Sequence, residues 1–181
     1  MVLCRDKTLA HQLHLLRDQG FQEPRFVHEV IGFNYRMTNI QAAIGLAQTE
    51  KAKEKVAHKR WIGQNYNELL SGQPDLTLPS EAPWAKSVYW MYGVLVGDGF
   101  GVSRNDLIQK LKEKGIETRP FFHPMHLQPA YKGGNPIFPD RSGAYPVSTD
   151  LGKRGLYLPS GLSLSRINIE QVVKSLLGCR K

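Results

Sequence analysis

The strongest local signal in this sequence is a helix start at Thr38. Gln41 follows three residues later, which is the spacing of a capping box, in which the threonine hydroxyl accepts from an early helical N–H and the glutamine reaches back to the cap. Apolar residues then recur at helical spacing as far as Leu70. An unbroken helix over this range would be about 50 Å long, which is too long for one small core. The sequence therefore predicts a connecting helix over residues 38–72 between two lobes.

A polar loop lies directly before this helix start. Asn34, Tyr35 and Arg36 offer an amide, a phenol and a guanidinium next to the helix N-terminus, where free N–H groups and the dipole favour an anion. An ordinary loop-to-helix corner accounts for the same pattern, and the residues alone leave both interpretations open. The loop is a candidate phosphate or polar-ligand site.

The remaining pattern predicts an α/β arrangement. Residues 2–4 are predicted as a short strand, and a helix capped by Thr8 is predicted to run to Gly20. After a proline-containing link, the predicted elements are a strand over 88–96, a helix from Ser103 to Gly115, a strand over 116–122 and a closing helix over 169–177. Together they predict a small α/β lobe that follows the long helix.

Composition limits the classes of protein that fit. The chain has 181 residues, of which 41% are hydrophobic, as in an ordinary globular protein. No run approaches the roughly 20 apolar residues that cross a bilayer, and Arg5 and Asp6 interrupt any signal-peptide core, so we expect a cytoplasmic protein. The net charge of +8 favours anionic partners, but no aromatic stripe separates the basic residues, so nucleic-acid binding is only weakly supported.

A second polar loop spans residues 119–126 and contains Arg119, His123 and His126. Pro124 lies between the two histidines and no cysteine or carboxylate completes a ligand set, so the sequence predicts no metal site. An imidazole here can bond a sugar hydroxyl or a diphosphate. Alternatively, Phe121 and Phe122 belong to the core and the histidines only cap the loop.

Several ordered blocks resemble the DegT/DnrJ/EryC1/StrS family of pyridoxal-phosphate-dependent sugar aminotransferases. They are GFNYRMTNIQAA (32–43), SVYWMY (87–92), GIETRPFF (115–122), PMHLQP (124–129) and GLYLPS (155–160). All of them resemble the C-terminal half of that family, and residues 89–92 and 119–122 look most like its GDP-perosamine synthases. That group implies a role in lipopolysaccharide O-antigen biosynthesis.

The resemblance implies an α/β fold, namely the C-terminal small domain of a fold-type I aminotransferase with the last strand and helices of its large domain. Residues 1–37 would be the remnant of the large pyridoxal-phosphate-binding domain. Residues 38–72 would be the connecting helix, and residues 73–181 the small domain.

The same resemblance assigns roles to the two loops. The residue matching Asn34 reaches across a dimer interface to the cofactor phosphate of the other subunit, and those matching Tyr35 and Arg36 line the same pocket. The loop containing Arg119, His123 and His126 shapes the sugar-nucleotide pocket. These six residues are the candidate cofactor-binding and substrate-binding residues.

No residue of this chain matches the family's catalytic groups. The family's Schiff-base lysine precedes a Gly-Glu-Gly-Gly turn, and the chain resembles the family from just after that turn. Lys7 is the earliest lysine and is expected to be solvated. The aspartate that contacts the cofactor's pyridine nitrogen would also lie upstream. Pyridoxal phosphate is therefore expected in the intact family enzyme, and whether this chain alone is an enzyme stays open.

The leading hypothesis is the C-terminal portion of an aminotransferase that acts on a nucleotide-linked 4-keto-6-deoxy sugar, typically with glutamate as donor, and that is inactive alone. The alternative is a non-catalytic dimerisation or regulatory module that pairs with a full-length aminotransferase. Both imply a protein partner, either a second copy or a chain carrying the N-terminal half. A basic nucleic-acid binder is a third and weaker hypothesis.

Overall fold

The computed structural model describes residues 2–131 and 145–181, which form two compact units. The first unit ends at Ala52 and the second runs from Lys53 to Lys181. The boundary falls inside the predicted connecting helix. The predicted domain boundaries at residues 37 and 72 stay predictions.

The first unit contains two helices joined by a long loop. Helix α1 spans Lys7–Arg17 and helix α2 spans Asn39–Glu50. Asp6 caps α1, since its Oδ1 accepts from the N–H of Leu9 at 2.7 Å. The prediction of Thr8 as the cap is wrong, because Asp6, two residues earlier, occupies the capping position and supplies the acceptor.

Backbone hydrogen bonds fold the loop back onto the end of α1. The N–H groups of Phe33 and Tyr35 donate to the carbonyls of Leu16 and Arg17, and that of Gln19 donates to the carbonyl of Phe33. The close approach depends on Gly32, because a Cβ there would lie 2.2 Å from the backbone nitrogen of Gly20. The loop conformation is therefore set by its backbone.

The capping box at Thr38 is confirmed. The Thr38 N–H donates to Gln41 Oε1 at 2.8 Å, and the Gln41 N–H donates to Thr38 Oγ1 at 3.3 Å. These bonds satisfy groups that would otherwise be unpaired at the helix start.

The single long helix is wrong. Helix α2 ends at Glu50 and helix α3 spans Ala52–Leu70, with Lys51 in a turn conformation between them. The Thr49 hydroxyl donates back to the Gly45 carbonyl at 2.8 Å, a contact that often bends helices. The hydrophobic pattern continues across Lys51 and therefore did not indicate the break.

The second unit is built on a four-stranded antiparallel sheet with the order β1-β2-β4-β3. Its strands are β1 (Leu76–Thr77), β2 (Tyr92–Val96), β3 (Arg119–Pro120) and β4 (Gly155–Leu158). Its helices are α3, α4 (Arg104–Glu113), α5 (Pro146–Arg154) and α6 (Arg166–Leu177). The central pair is β2 with β4, in which Tyr92 lies opposite Leu158.

Two of the predicted strands are longer than the observed ones, and a third predicted strand is absent. Residues 2–4 form no strand, because no described residue pairs with them and a strand needs a hydrogen-bonded neighbour. The strand predicted over 88–96 begins only at Tyr92, since Tyr89 has φ +46°, which breaks the extended run. In 116–122 only Arg119–Pro120 is paired.

Helix ends follow local capping. Ser103 caps α4 by accepting from the Asp106 N–H at 3.2 Å, which confirms that predicted start. Helix α6 starts earlier than predicted, because Ser165 and Asn168 form a second capping box. Helix α5 and strand β4 were not predicted as elements.

The core of the second unit lies between the helices and one face of the sheet. Its fully buried members are Ile62, Tyr66, Leu70, Tyr92, Val94, Phe100, Leu107, Leu111, Leu156, Ile169 and Leu176. The two tyrosines keep their polar tips paired: Tyr66 donates to the Pro159 carbonyl at 2.8 Å and Tyr92 donates to Asn67 Oδ1 at 2.6 Å. Burial raises the pKa of both phenols, so they stay neutral donors.

An aromatic side chain covers the opposite face of the sheet. The ring of Phe121 stacks on Tyr157, with centroids 4.4 Å apart. It lies over two glycines, because a Cβ at Gly93 or Gly155 would come within 2.6 or 2.1 Å of the Phe121 ring. These glycines create the space that holds the start of the 119–126 loop against the sheet.

We predict that Gly155→Ala destabilises the second unit by about 1–3 kcal/mol, because the new methyl collides with Phe121 and with the Leu151 carbonyl at 2.6 Å. The urea midpoint, followed by tryptophan fluorescence, measures this. Gly161→Ala is the matched control, since its nearest atom is Ser163 Oγ at 3.9 Å. Equal midpoints for the two variants would contradict the proposed packing.

We also predict that the second unit loses stability as pH falls below the ordinary carboxyl range. A hydrogen bond from Arg60 and another from the Ser87 N–H lower the pKa of Glu81 from its ordinary value of 4.5. The folded state therefore binds fewer protons than the unfolded state, so stability is present at neutral pH and is lost on acidification. The urea midpoint of Glu81→Gln should fall less between neutral and acid pH than that of the parent chain. An unchanged pH response would exclude Glu81 as a contributor.

Candidate functional site

The first candidate loop, Asn34–Arg36, lies in the first unit directly before the start of α2. The backbone of Asn34 pairs with Asp18 in an isolated bridge, which fixes the position of the residue. Its side chain is exposed, and within the described residues its amide has no hydrogen-bond partner. The amide is thus held on a defined backbone and is available to a ligand.

The neighbours of Asn34 are ordered by contacts of their own. The Tyr35 ring stacks on Phe33 with centroids 5.1 Å apart and planes 9° apart. Arg36 Nη1 lies 3.3 Å from Asp18 Oδ2, in an ion pair whose arginine side chain is 64% exposed. An exposed surface pair of this kind is weak, so an anionic ligand can compete for the guanidinium.

The chemistry of this loop fits a phosphate group. Amide and guanidinium N–H groups are donors, and the helix N-terminus that follows them in sequence adds the positive end of its dipole. The set contains no group that forms a covalent bond to a carbonyl compound. It fits the phosphate end of pyridoxal phosphate and not its reactive end.

The second candidate loop lies in the second unit, where its three residues have different environments. Arg119 is exposed on β3, where its backbone is paired with Tyr157. His123 is exposed. His126 is half-buried: its Nε2 lies 3.1 Å from Thr149 Oγ1 and its ring centroid 4.8 Å from that of Tyr145. Among the contacts between described residues, only those of His126 orient a side chain of this set.

His126 lines an open depression of about 480 Å³. The other described lining residues are Met125, Tyr131, Tyr145 and Ser148. The structure does not place Arg119 or His123 in this lining. A depression with hydroxyl groups and an imidazole suits a polyhydroxylated ligand such as a sugar.

Sequence reasoning missed the residues that accompany His126. Tyr145, Ser148 and Thr149 lie at the start of α5, which was not predicted. One usable signal existed, because Pro146 occupies the first helical position, where proline is favoured.

The alternative in which both phenylalanines belong to the core is wrong. Phe121 packs on the outer face of the sheet, and Phe122 is 67% exposed with its ring 5.8 Å from Tyr157. The core occupies the other face of the sheet. Two phenylalanines in sequence point in different directions, so one of them remains exposed beside the loop.

Two further properties concern the described ranges 2–131 and 145–181. No helix there has the length and apolar character that crossing a bilayer requires. In the same ranges no three histidine, cysteine or acidic side chains are grouped so that they could hold a metal ion.

The sequence profile of the DegT/DnrJ/EryC1/StrS aminotransferase family matches residues 1–177. The chain is 38% identical over 184 aligned residues to the GDP-perosamine synthase of Caulobacter vibrioides, which covers 97% of this chain and 46% of that protein. It is 37% identical to the GDP-perosamine synthase of Escherichia coli O157:H7, again with 97% and 46% coverage. The chain therefore spans about half the length of the curated relatives it matches.

The fold agrees with a solved relative. The crystal structure of DesV from S. venezuelae, in complex with a ketimine intermediate, matches 96% of this chain with a TM-score of 0.79 and 28% identity. The match covers 44% of the DesV chain. The likeness thus extends over nearly all of this chain and under half of the solved one.

Proposed function

Because the chain belongs to the DegT/DnrJ/EryC1/StrS aminotransferase family, we propose that it is the C-terminal portion of an enzyme that transfers an amino group to a nucleotide-linked 4-keto-6-deoxy sugar. Glutamate is the proposed amino donor. The observation that carries the proposal is the identity of 38% and 37% to two GDP-perosamine synthases over 97% of this chain. Their names identify the product of those proteins as a nucleotide-linked amino sugar.

Family members depend on pyridoxal phosphate, which supplies an electron sink for amino-group transfer when it is bound. In our proposal Asn34 and Arg36 donate to its phosphate, and Tyr35 lines the same pocket. The donors belong to a loop held by backbone bonds to α1, and the amide has no competing partner among the described residues. In the family resemblance the phosphate they contact is that of a partner subunit.

The substrate would contact the second loop. We propose that His126 bonds a hydroxyl or the diphosphate of the nucleotide sugar, because its ring is fixed by Thr149 and Tyr145 beside an open depression. Arg119 and His123 are exposed, and we propose that they add positive charge or donors at the edge of the same ligand. A cationic or neutral donor suits the phosphate or hydroxyl groups of such a substrate.

The alternative function is a non-catalytic module that pairs with a full-length aminotransferase. The specific observation in its favour is the exposure of large apolar side chains in the first unit, among them Ile31, Met37 and Ile40. Two results together would favour this function. The purified chain would capture an intact aminotransferase, and the amount captured would stay the same when the missing half is also supplied.

We predict that the 181-residue chain alone does not transfer an amino group, because the family resemblance places the covalent lysine and the aspartate before the part of the family that this chain matches. A chimera in which this chain replaces the matched part of the Caulobacter vibrioides enzyme should convert a nucleotide-linked 4-keto-6-deoxy sugar with glutamate. Product formation is measured by chromatography with added cofactor. Turnover by the chain alone, or a folded chimera without activity, would refute the proposal.

Within that chimera, His126→Phe should raise the KM for the nucleotide sugar about tenfold, because one hydrogen bond to the ligand is lost while the packing on Tyr145 is kept. The kcat should change less than the KM. His11→Phe is the control, since His11 is an exposed histidine on α1. An equal KM for the His126 variant and the parent would remove His126 from the substrate site.

A further inference from the structure

Thr149 offers one hydroxyl group to two neighbours. Its Oγ1 lies 2.9 Å from the carbonyl oxygen of Tyr145, four residues earlier, and 3.1 Å from Nε2 of His126. A hydroxyl carries one hydrogen and two lone pairs, so it donates one bond and can accept others. The position of that hydrogen therefore decides whether the histidine nitrogen is a donor or an acceptor.

The carbonyl of Tyr145 fixes the hydrogen of this hydroxyl. A carbonyl oxygen only accepts, and two oxygens 2.9 Å apart repel one another unless a hydrogen lies between them. The Thr149 hydroxyl thus donates to Tyr145, a bond that threonine often makes to the carbonyl four residues earlier in a helix. Toward His126 the same oxygen can only accept, so Nε2 must carry the ring proton. In the neutral imidazole Nδ1 is then an acceptor.

The second ring nitrogen of His126 is left for a ligand. Within residues 2–131 and 145–181 Thr149 is the one hydrogen-bond partner of this imidazole, so Nδ1 has none there. The ring of Tyr145 packs against the imidazole with centroids 4.8 Å apart and planes 45° apart, which limits rotation of the ring. Because the bond at one nitrogen of a histidine sets the protonation of the other, Thr149 controls what Nδ1 can bind.

The depression beside His126 favours a ligand group that donates a hydrogen bond. Its described lining consists of Met125, His126, Tyr131, Tyr145 and Ser148, which include no lysine or arginine. A diphosphate is multiply charged and is normally held by such cations. An unprotonated Nδ1 presents a lone pair, which repels phosphate oxygens and accepts from a hydroxyl. The depression therefore suits the hydroxyl groups of a sugar ring better than a diphosphate.

We propose that Thr149 is a positioning residue that holds His126 with its proton on Nε2, so that Nδ1 accepts a hydrogen bond from a sugar hydroxyl of the nucleotide sugar. This inference rests on the proposed function and narrows it, because it assigns the depression to the sugar and leaves the diphosphate to groups outside it. Tyr145 contributes twice. Its carbonyl takes the hydrogen of the Thr149 hydroxyl, and its ring fixes the plane of the imidazole.

The first experiment determines the tautomer in the 181-residue chain. Proton–nitrogen NMR correlation spectra distinguish protonated from unprotonated ring nitrogens, and at alkaline pH they report the neutral imidazole. His126 should carry its proton on Nε2 alone. His123 is the internal reference, since it is exposed in the same loop and has no side-chain partner among the described residues, so it should average both tautomers.

Two variants test whether Thr149 causes this difference. Thr149→Val removes the hydroxyl at nearly constant shape and should make His126 average both tautomers, as His123 does. Thr149→Ser keeps the hydroxyl and should preserve the single tautomer. A proton on Nδ1 of His126 in the parent chain, or the same spectrum of His126 in the parent and in Thr149→Val, would overturn the inference.

The second experiment separates the sugar from the diphosphate in the chimera with the Caulobacter vibrioides enzyme. GDP, the nucleotide in the name of that enzyme, carries the diphosphate without the hexose. Calorimetry without glutamate should show that Thr149→Val weakens binding of the GDP-linked 4-keto-6-deoxy sugar about tenfold, because one oriented hydrogen bond is lost. Binding of GDP should not change, and Thr149→Ser should restore the parent affinity for the nucleotide sugar.

Each contrary result has a definite meaning. Equal weakening of both ligands by Thr149→Val would place the diphosphate at His126 and would overturn the inference. Unchanged affinity for the nucleotide sugar would overturn it as well, because Thr149 would then have no effect on the ligand.

The outcomes also separate this inference from the proposed function. Binding of the nucleotide sugar that depends on Thr149, without amino transfer, refutes the proposed reaction and supports the positioning of His126. Amino transfer with equal affinities in the parent and in Thr149→Val supports the proposed reaction and overturns the inference. If the chimera does not fold, the tautomer in the 181-residue chain still decides whether Thr149 positions His126.

Discussion

The antiparallel pairing of β2 with β4 determines the rest of the second unit. Its register places Gly93 opposite Tyr157 and Gly155 opposite Leu95. The two glycines leave space for Phe121 on the outer face, while the alternating side chains of β2 enter the core on the other face. The chain that follows Phe121 leads to His126, so the candidate substrate loop depends on this pairing for its starting position.

Local sequence was sufficient to predict two of the capped helix starts. The Thr38 capping box and the Ser103 cap each involve residues three positions apart, so no tertiary contact is needed to specify them. The break at Lys51 was missed because the apolar pattern continues through it, and only the Thr49 back-bond marks it. Strand ends were missed for another reason, since pairing depends on residues far along the chain that a local pattern does not contain.

In the candidate site, too, some features follow from local sequence and others depend on contacts between distant residues. The two loops were found from their polar residues, and the family resemblance assigned roles to the six residues, because motif blocks retain their order and identity. Their environments depend on long-range contacts, such as that between His126 and Thr149, which are 23 positions apart. Sequence reasoning accordingly named His123 and His126 together, whereas within residues 2–131 and 145–181 only His126 of the two has side-chain partners.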